Sequence, residues 1–197
     1  IGQGRAAELL FRTQRVAAEH SGRHPGILAA LHDVSDADTA LASLLGQVVT
    51  NDTGRAGFVA ALEMPEPRVA LGIALRGLAS AMLDVSDGLL ADLGHIATAS
   101  GLSATVEDAA LPWATLTAGC GDNAAVRDAM LAGGDDYELL FCAPAQAHDA
   151  LHALSTRLSL PLTRIGRMDA DAPGQVRLVD GQGRELPVTR RGYDHFS

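Results

Sequence analysis

The chain has 197 residues, and 15 basic against 24 acidic side chains give it a formal net charge of −9. An acidic surface repels polyanions, which argues against a nucleic-acid backbone as the main partner. A hydrophobic content of 47% is ordinary for a soluble globular protein. No stretch approaches the ~20 apolar residues that a membrane-spanning helix needs, so no membrane partner is expected.

The basic residues and the cysteines limit the kinds of catalytic and structural chemistry that this chain can carry. Every basic residue is arginine, which excludes a Walker-type phosphate lysine and a Schiff-base lysine within this chain. Two cysteines, Cys120 and Cys142, are too few for a disulfide scaffold, so a reducing cytoplasm is expected. The start at Ile1 has neither an initiator Met nor the features of a signal peptide, and we expect the sequence to begin inside a longer protein.

The first part of the chain, residues 1–62, is predicted to be helical. Apolar residues between Ala6 and Ala17 follow helical spacing, and a second apolar stripe runs from Leu41 to Val48. The Pro-rich stretch Met64–Pro67 closes this segment. We therefore expect a helical segment over 1–62, at a domain junction, followed by a C-terminal α+β domain over 63–197.

Strands and helices then follow one another without regular βαβ alternation. Gly101 is predicted to end one of the helices, and residues 180–183 are predicted to form a hairpin turn. This pattern predicts an α+β fold with a mixed, largely antiparallel sheet packed with helices. The predicted strands span 80–85, 103–106, 137–143, 162–168, 175–179 and 185–188, and the predicted helices span 69–78, 88–99, 126–131 and 145–158.

Acidic residues are concentrated between Leu83 and Leu140. This stretch holds ten acids and one arginine, whereas the rest of the chain is neutral. Solvated helix faces and turns explain such a charge pattern as well as a cation site does, and both interpretations stay open.

One acidic motif is Asp84-Val-Ser-Asp-Gly. On a strand, Asp84 and Ser86 point to the same face, and Asp87 falls where the next helix begins. Carboxylate and hydroxyl oxygens are donors that Mg²⁺ prefers, and a helix N-terminus accepts an anionic group. The alternative is that Asp87 only caps the helix while Ser86 satisfies a turn.

Two further segments carry candidate functional residues. Adjacent acids in Gly133-Gly-Asp-Asp-Tyr-Glu cannot both face a core, so at least one faces solvent or a ligand. The tail, from Arg190 to Phe196, has two aromatic rings within four residues, which favours a tail held against the body of the protein or a ligand. No motif supports nucleophilic catalysis, and we assign no catalytic residue.

Together these motifs resemble a known family. The order Asp84-Val-Ser-Asp-Gly-Leu, Asp92-Leu-Gly-His, Gly-Gly-Asp-Asp-Tyr-Glu-Leu, Ile165-Gly-Arg and terminal Gly-Tyr-Asp-His-Phe is similar to the C-terminal domain of bacterial thiamine-monophosphate kinases. These kinases belong to the aminoimidazole ribonucleotide synthetase superfamily. The resemblance extends from about Met64 to Phe196.

The resemblance implies ATP-dependent phosphorylation of thiamine monophosphate to thiamine diphosphate. Carried over position by position, it makes Asp84 and Asp87 Mg²⁺ ligands and Ser86 an ATP contact. It makes Asp135 and Tyr193 contacts of the thiamine substrate, although Asp135 stands where the family commonly has Glu.

The resemblance also implies that part of the enzyme is missing. The family's N-terminal nucleotide-binding domain, which supplies most metal ligands and the dimer interface of a homodimer, is absent, so we expect this chain alone to be inactive. Two alternatives stay open. One is another ATP-dependent member of the superfamily, such as a selenophosphate synthetase, a purine-synthesis enzyme or a hydrogenase-maturation protein, and the other is a non-catalytic ligand-binding or scaffolding module.

Overall fold

The structure is a computed structural model that describes residues 8–13, 64–113, 124–133, 137–189 and 192. Its strands are β1 Glu8–Thr13, β2 Ala81–Asp84, β3 Ser103–Glu107, β4 Leu139–Pro144, β5 Leu162–Asp169 and β6 Val176–Val179. Its helices are α1 Val69–Ala74, α2 Leu89–Ser100, α3 Ala124–Ala132 and α4 His148–Leu158, with short 3₁₀ turns at Asp108–Ala110 and Ala145–Ala147.

The six strands form one sheet in the order β2-β4-β1-β5-β3-β6. Neighbouring strands are antiparallel except for β3 and β6, which run parallel. The predicted α+β fold with a mixed, largely antiparallel sheet is therefore confirmed.

The helix predicted from Ala6 to Ala17 is wrong where the structure describes it, because residues 8–13 form strand β1. This strand lies inside the sheet, hydrogen-bonded to β4 on one side and to β5 on the other. Pairing on both edges satisfies its backbone with partners more than 120 residues away, which overrides a weak helical periodicity. The rest of the helical prediction for residues 1–62 lies outside the described residues.

Two further predictions for local structure are confirmed and one is wrong. Helix α2 ends at Gly101 in the left-handed conformation, and the Asp180 carboxylate accepts the backbone N–H groups of Gln182 and Arg184 in the predicted turn. The strand predicted over 185–188 is wrong, because only an isolated bridge between Val179 and Glu185 forms. The pairing stops after the Leu186 N–H donates to the Leu178 carbonyl oxygen at 2.8 Å, and residues 186–188 are not in strand conformation.

Helices cover the sheet on both faces. Strand β4 separates the two apolar layers, because Leu140 and Cys142 pack on the α2 side while Phe141 and Ala143 pack against α1 and α4. Such alternation is the period-2 pattern of a strand buried on both faces. Each fully buried leucine in these layers stabilises the fold by about 1.5–3 kcal/mol.

The helices of this fold are short. The longest among the described residues, α2, has 12 residues. Within the described part of the chain, no helix has the length and apolarity needed to cross a bilayer.

Gly166 in β5 gives the first testable prediction. A Cβ at this position would overlap the carbonyl oxygen of Thr105 and lie 3.0 Å from its carbonyl carbon. Because backbone atoms of a paired strand cannot move aside, Gly166→Ala is expected to lower the free energy of unfolding by about 3 kcal/mol. Urea denaturation of this chain measures the loss.

The matched control is Gly181→Ala, because an added Cβ at position 181 meets no atom within 4 Å. We expect it to change the free energy of unfolding by less than about 0.5 kcal/mol. Equal stabilities of the two variants would contradict the described packing of β3 on β5.

Candidate functional site

The candidate site lies where the chain leaves β2 and enters α2. Strand β2 ends at Asp84, whose side chain is exposed, and a bend at Ser86 and Asp87 leads to Leu89, the first residue of α2. Ser86 and Asp87 are half-buried. The sequence predicted Asp84 and Ser86 on one face of a strand, but the strand ends before Ser86, which belongs to the bend.

The Asp92 side chain is the hydrogen-bond acceptor for the backbone of this bend. It lies in the first turn of α2 with only 3% of its surface exposed, and its Oδ2 accepts the backbone N–H groups of Ser86 and Asp87, each at 2.9 Å. Burial raises the pKa of the Asp92 carboxyl, since desolvation outweighs the two N–H donors that favour the ionised form.

Sequence reasoning did not assign Asp92 to the site. One signal was present, because Asp92 lies at helical spacing on the face that Leu89, Leu93 and Ile96 bury. A carboxylate on a buried helix face must be hydrogen-bonded or paired, and this one satisfies the requirement with backbone donors.

Asp87, Asp92 and His95 form a group of possible metal ligands. One ligand atom from each lies within 4.8 Å of the others, and His95 is exposed. Asp84 is not part of this group, among the residues that the structure describes. The sequence predicted that Asp84, Ser86 and Asp87 converge, whereas the structure groups Asp87 with Asp92 and with His95, which follows Asp92 by three residues on the same helix face.

The second acidic segment lies directly beside the first. The Val85 N–H donates to the Glu138 carbonyl oxygen and the Tyr137 N–H donates to the Val85 carbonyl oxygen, both at 2.9 Å. Tyr137 adopts a φ of 52°, a left-handed conformation that is uncommon for a bulky residue. These bonds bring the end of the Gly-Gly-Asp-Asp-Tyr-Glu segment to the end of β2. Asp135 itself lies outside the described residues.

The tail also reaches this region, through Gly192. A Cβ at position 192 would overlap the Cβ of Ala91 and lie 2.9 Å from the Asp87 carbonyl oxygen, so only glycine fits here. Gly192 therefore packs against the start of α2, whereas the aromatic residues on which the predicted tail contact rested lie outside the described residues. Tyr193, the next residue, lies outside the described residues.

A buried ion pair supports the same end of the sheet. Arg68, just before α1, donates Nε to Glu138 Oε2 at 2.8 Å and Nη2 to Glu138 Oε1, and the two side chains are 8% and 10% exposed. Burial alone would lower the pKa of Arg68, but the hydrogen bond and the charge of Glu138 outweigh it and raise the pKa. The pair joins α1 to the segment that pairs with Val85.

A polar cavity of about 550 Å³ lies at the opposite edge of the sheet. It is lined by residues of β3, β5, β6 and the turn after β6, with Arg167 and Arg177 among them. These arginines are already paired with carboxylates, Arg167 with Glu107 at 3.3 Å and Arg177 with Asp171 at 2.7 Å. An anionic ligand would have to displace those carboxylates, so this cavity is a weaker candidate than the start of α2.

Comparisons with known proteins identify the family of this chain. Residues 49–179 match the model of the family described as AIR synthase related protein, C-terminal domain. The chain belongs to this family. Family membership assigns the α+β sheet and its helices to a recognised domain type.

Relatives within the family are similar over most of the chain. The thiamine-monophosphate kinase of Salmonella typhimurium is 39% identical over 186 residues, which are 92% of this chain and 56% of that protein. The crystal structure of thiamine-monophosphate kinase from Stenotrophomonas maltophilia K279a matches with a TM-score of 0.70 and 34% identity, over 94% of this chain and 56% of that one.

A more distant match, AaThiL complexed with AMPPCP and TMP, has a TM-score of 0.63 at 23% identity and shows the shared fold alone. It covers 98% of this chain and 52% of that one. The chain spans about half the length of the relatives that it matches.

Breaking the Arg68–Glu138 pair is expected to cost much more stability than breaking an exposed one. Glu138→Gln leaves a buried guanidinium without its counter-charge, so the free energy of unfolding should fall by about 3–5 kcal/mol. The control is Glu66→Gln, because Glu66 lies 3.6 Å from the same guanidinium but is 51% exposed. Its loss should stay below about 1 kcal/mol.

Urea denaturation of this chain and of both variants tests the difference. If Glu138→Gln lost no more stability than Glu66→Gln, the pair would not be the buried anchor described here.

Proposed function

We propose that this chain is the C-terminal part of a kinase that transfers a phosphoryl group from ATP to thiamine monophosphate and forms thiamine diphosphate. The observation that carries the proposal is the meeting of three segments at the start of α2: the Ser86–Asp87 bend, the Tyr137–Glu138 backbone and Gly192 of the tail. The similarity to the Salmonella kinase over 92% of the chain supports the choice of substrate.

The donors at this place suit Mg²⁺. Asp84, the last residue of β2, and Asp87, just before α2, offer carboxylate oxygens, and Ser86 offers a hydroxyl between them in sequence. We assign Asp84 and Asp87 as Mg²⁺ ligands and Ser86 as a contact of ATP. Mg²⁺, when bound, neutralises phosphate charge, so that an acidic region accepts Mg²⁺-ATP although it repels free ATP.

Asp135 and Tyr193 are proposed to contact thiamine monophosphate. Thiamine has a flat cationic ring, which a carboxylate and an aromatic face together can recognise. Gly192 directly precedes Tyr193, and Tyr137 follows Asp135 by two residues. Both described residues lie beside the start of α2, which supports the assignment.

The chemistry explains why no general base stands out. An oxygen of the substrate phosphate forms a bond to the γ-phosphorus of ATP, while the bond between that phosphorus and the β,γ-bridging oxygen breaks and ADP leaves. A phosphate monoester has a second pKa of about 6, so the attacking oxygen is mostly ionised at pH 7 and has no proton to lose. Catalysis then depends on positioning and charge neutralisation, which carboxylates and a metal ion supply.

The proposal includes parts that this chain does not contain. We infer that an N-terminal domain supplies further metal ligands and the nucleotide cleft, that the whole enzyme is a cytoplasmic homodimer, and that this chain alone is inactive. About half of the length of the matched relatives has no counterpart in this sequence, which leaves room for such a domain.

The test joins this chain to the part of the Salmonella typhimurium kinase that has no counterpart in it. The chimaera should form thiamine diphosphate from ATP and thiamine monophosphate with Mg²⁺, and the chain alone should form none. In the chimaera, Asp84→Asn should lower kcat about 100-fold, a loss typical of removing one electrostatic partner of a transition state.

The control for this substitution is Asp149→Asn, because Asp149 is exposed on α4, which packs on the other face of the sheet. It should leave kcat unchanged. Near-normal turnover of Asp84→Asn at limiting Mg²⁺ would refute the metal assignment. A chimaera that folds and binds neither substrate would favour a non-catalytic module, and turnover by the chain alone would refute the proposed division between domains.

A further inference from the structure

Three consecutive backbone N–H groups define the path of the chain between β2 and α2. The N–H of Val85 donates to the Glu138 carbonyl oxygen, and the N–H groups of Ser86 and Asp87 both donate to Asp92 Oδ2. Two of the three bonds therefore depend on a single carboxylate oxygen.

These two bonds are not ordinary helix capping. A capping side chain lies just before the helix and accepts N–H groups of the first turn. A capping-box carboxylate in the first turn reaches back only to the N-cap N–H, whereas Asp92 reaches past the N-cap Gly88 to the N–H groups of Ser86 and Asp87. Its bonds add nothing to the hydrogen bonding of the helix itself. They fix the conformation of the Ser86–Asp87 bend.

Keeping a carboxylate here has a cost. Asp92 is almost fully buried beside the apolar residues of α2, and an ionised group in such a place is stable only when it is hydrogen-bonded. A leucine would suit this face of the helix better, as Leu89 and Leu93 illustrate. The benefit must therefore come from the bend that Asp92 holds.

We infer that Asp92 is a positioning residue, which holds the Ser86–Asp87 bend so that the Asp87 carboxylate and the Ser86 hydroxyl face a divalent cation and its nucleotide. The inference rests on the proposed function, since that function makes Asp87 a metal ligand and Ser86 an ATP contact. Asp92 acts through the backbone of these two residues.

A direct role as a metal ligand is the main competing explanation, because one possible ligand atom of Asp92 lies within 4.8 Å of those of Asp87 and His95. Asp92→Asn separates the two. An asparagine Oδ1 can accept both N–H groups as the carboxylate Oδ2 does, but it is a much poorer ligand for a hard cation. Positioning predicts that Asn preserves the function of Asp92, whereas ligation predicts that it does not.

The experiment uses this chain with Mn²⁺ alone as the probe, without ATP or a thiamine substrate. Amide hydrogen exchange of Ser86 and Asp87 reports the bend, and Mn²⁺ titration followed by electron paramagnetic resonance and NMR line broadening reports metal affinity and place. Asp92→Ala should speed exchange of both amides at least about 10-fold and weaken Mn²⁺ binding about 10-fold, the usual range for groups that orient metal ligands. Asp92→Asn should stay within about threefold of the unmodified chain in both measurements.

Two further variants complete the design. Asp180→Ala removes another carboxylate that accepts two backbone N–H groups, but in the turn beyond β6, at the opposite edge of the sheet from β2. It should speed exchange of Gln182 and Arg184 and leave Mn²⁺ affinity unchanged. Asp92→Glu keeps the charge and moves the acceptor oxygen by one methylene. If Asp92→Ala does not fold, Asp92→Glu should still show faster exchange at the bend and weaker Mn²⁺ binding.

Three results would overturn the inference. The first is unchanged Mn²⁺ affinity in Asp92→Ala or Asp92→Glu despite faster exchange, which would make Asp92 a purely structural residue. The second is an Asp92→Asn variant as weak as Asp92→Ala, which would make it a ligand. The third is Mn²⁺ that fails to broaden the Ser86 and Asp87 amides in the unmodified chain. These measurements use no substrate, so they can be interpreted even if the kinase assay fails. The kinase assay can likewise be interpreted if these measurements contradict the positioning role of Asp92.

Discussion

The candidate site depends on how the backbone of Val85 is paired. Strands β2 and β4 are joined up to Asp84 and Leu139, and the two hydrogen bonds at Val85 continue this pairing beyond the end of β2. Two acid-rich segments that lie about fifty residues apart in sequence thereby leave the sheet side by side. The bend held by Asp92 and the tail contact at Gly192 then build on a position that the sheet has already fixed.

The acids between Leu83 and Leu140 do not share one role. Glu138 is neutralised by Arg68, Asp92 is held by two backbone N–H groups, and Glu107 pairs with Arg164 and Arg167 on the sheet. A high local negative charge in the sequence thus overstates the charge that faces a cation. Several carboxylates in this stretch therefore stabilise the fold, and the cation site at Asp84 and Asp87 stays a proposal.

The sequence predicted features that depend on neighbouring residues, and it missed those that depend on partners far away in sequence. Gly101 ended α2 as predicted, because a left-handed residue stops a helix without help from the rest of the fold. Strand β1 was missed because its two partner strands come from the far end of the chain. The sequence placed Asp92 on a buried helix face but could not show its partners, because its side chain reaches back to the backbone of Ser86 and Asp87. Asp84, Ser86 and Asp87 could be proposed from the sequence because one short segment contains all three, and their roles stay predictions.

The central claim is that three separate segments meet at the start of α2 and receive one Mg²⁺-nucleotide there. The most direct measurement is NMR of this chain, labelled with ¹⁵N, during titration with Mg²⁺ and a non-hydrolysable ATP analogue. We predict that amide shifts change in the bend from Asp84 to Asp92, at Tyr137 and Glu138 and at Gly192, while the turn from Asp180 to Glu185 stays unchanged. Shifts confined to that turn and the polar cavity beside it, with the start of α2 unaffected, would contradict the account.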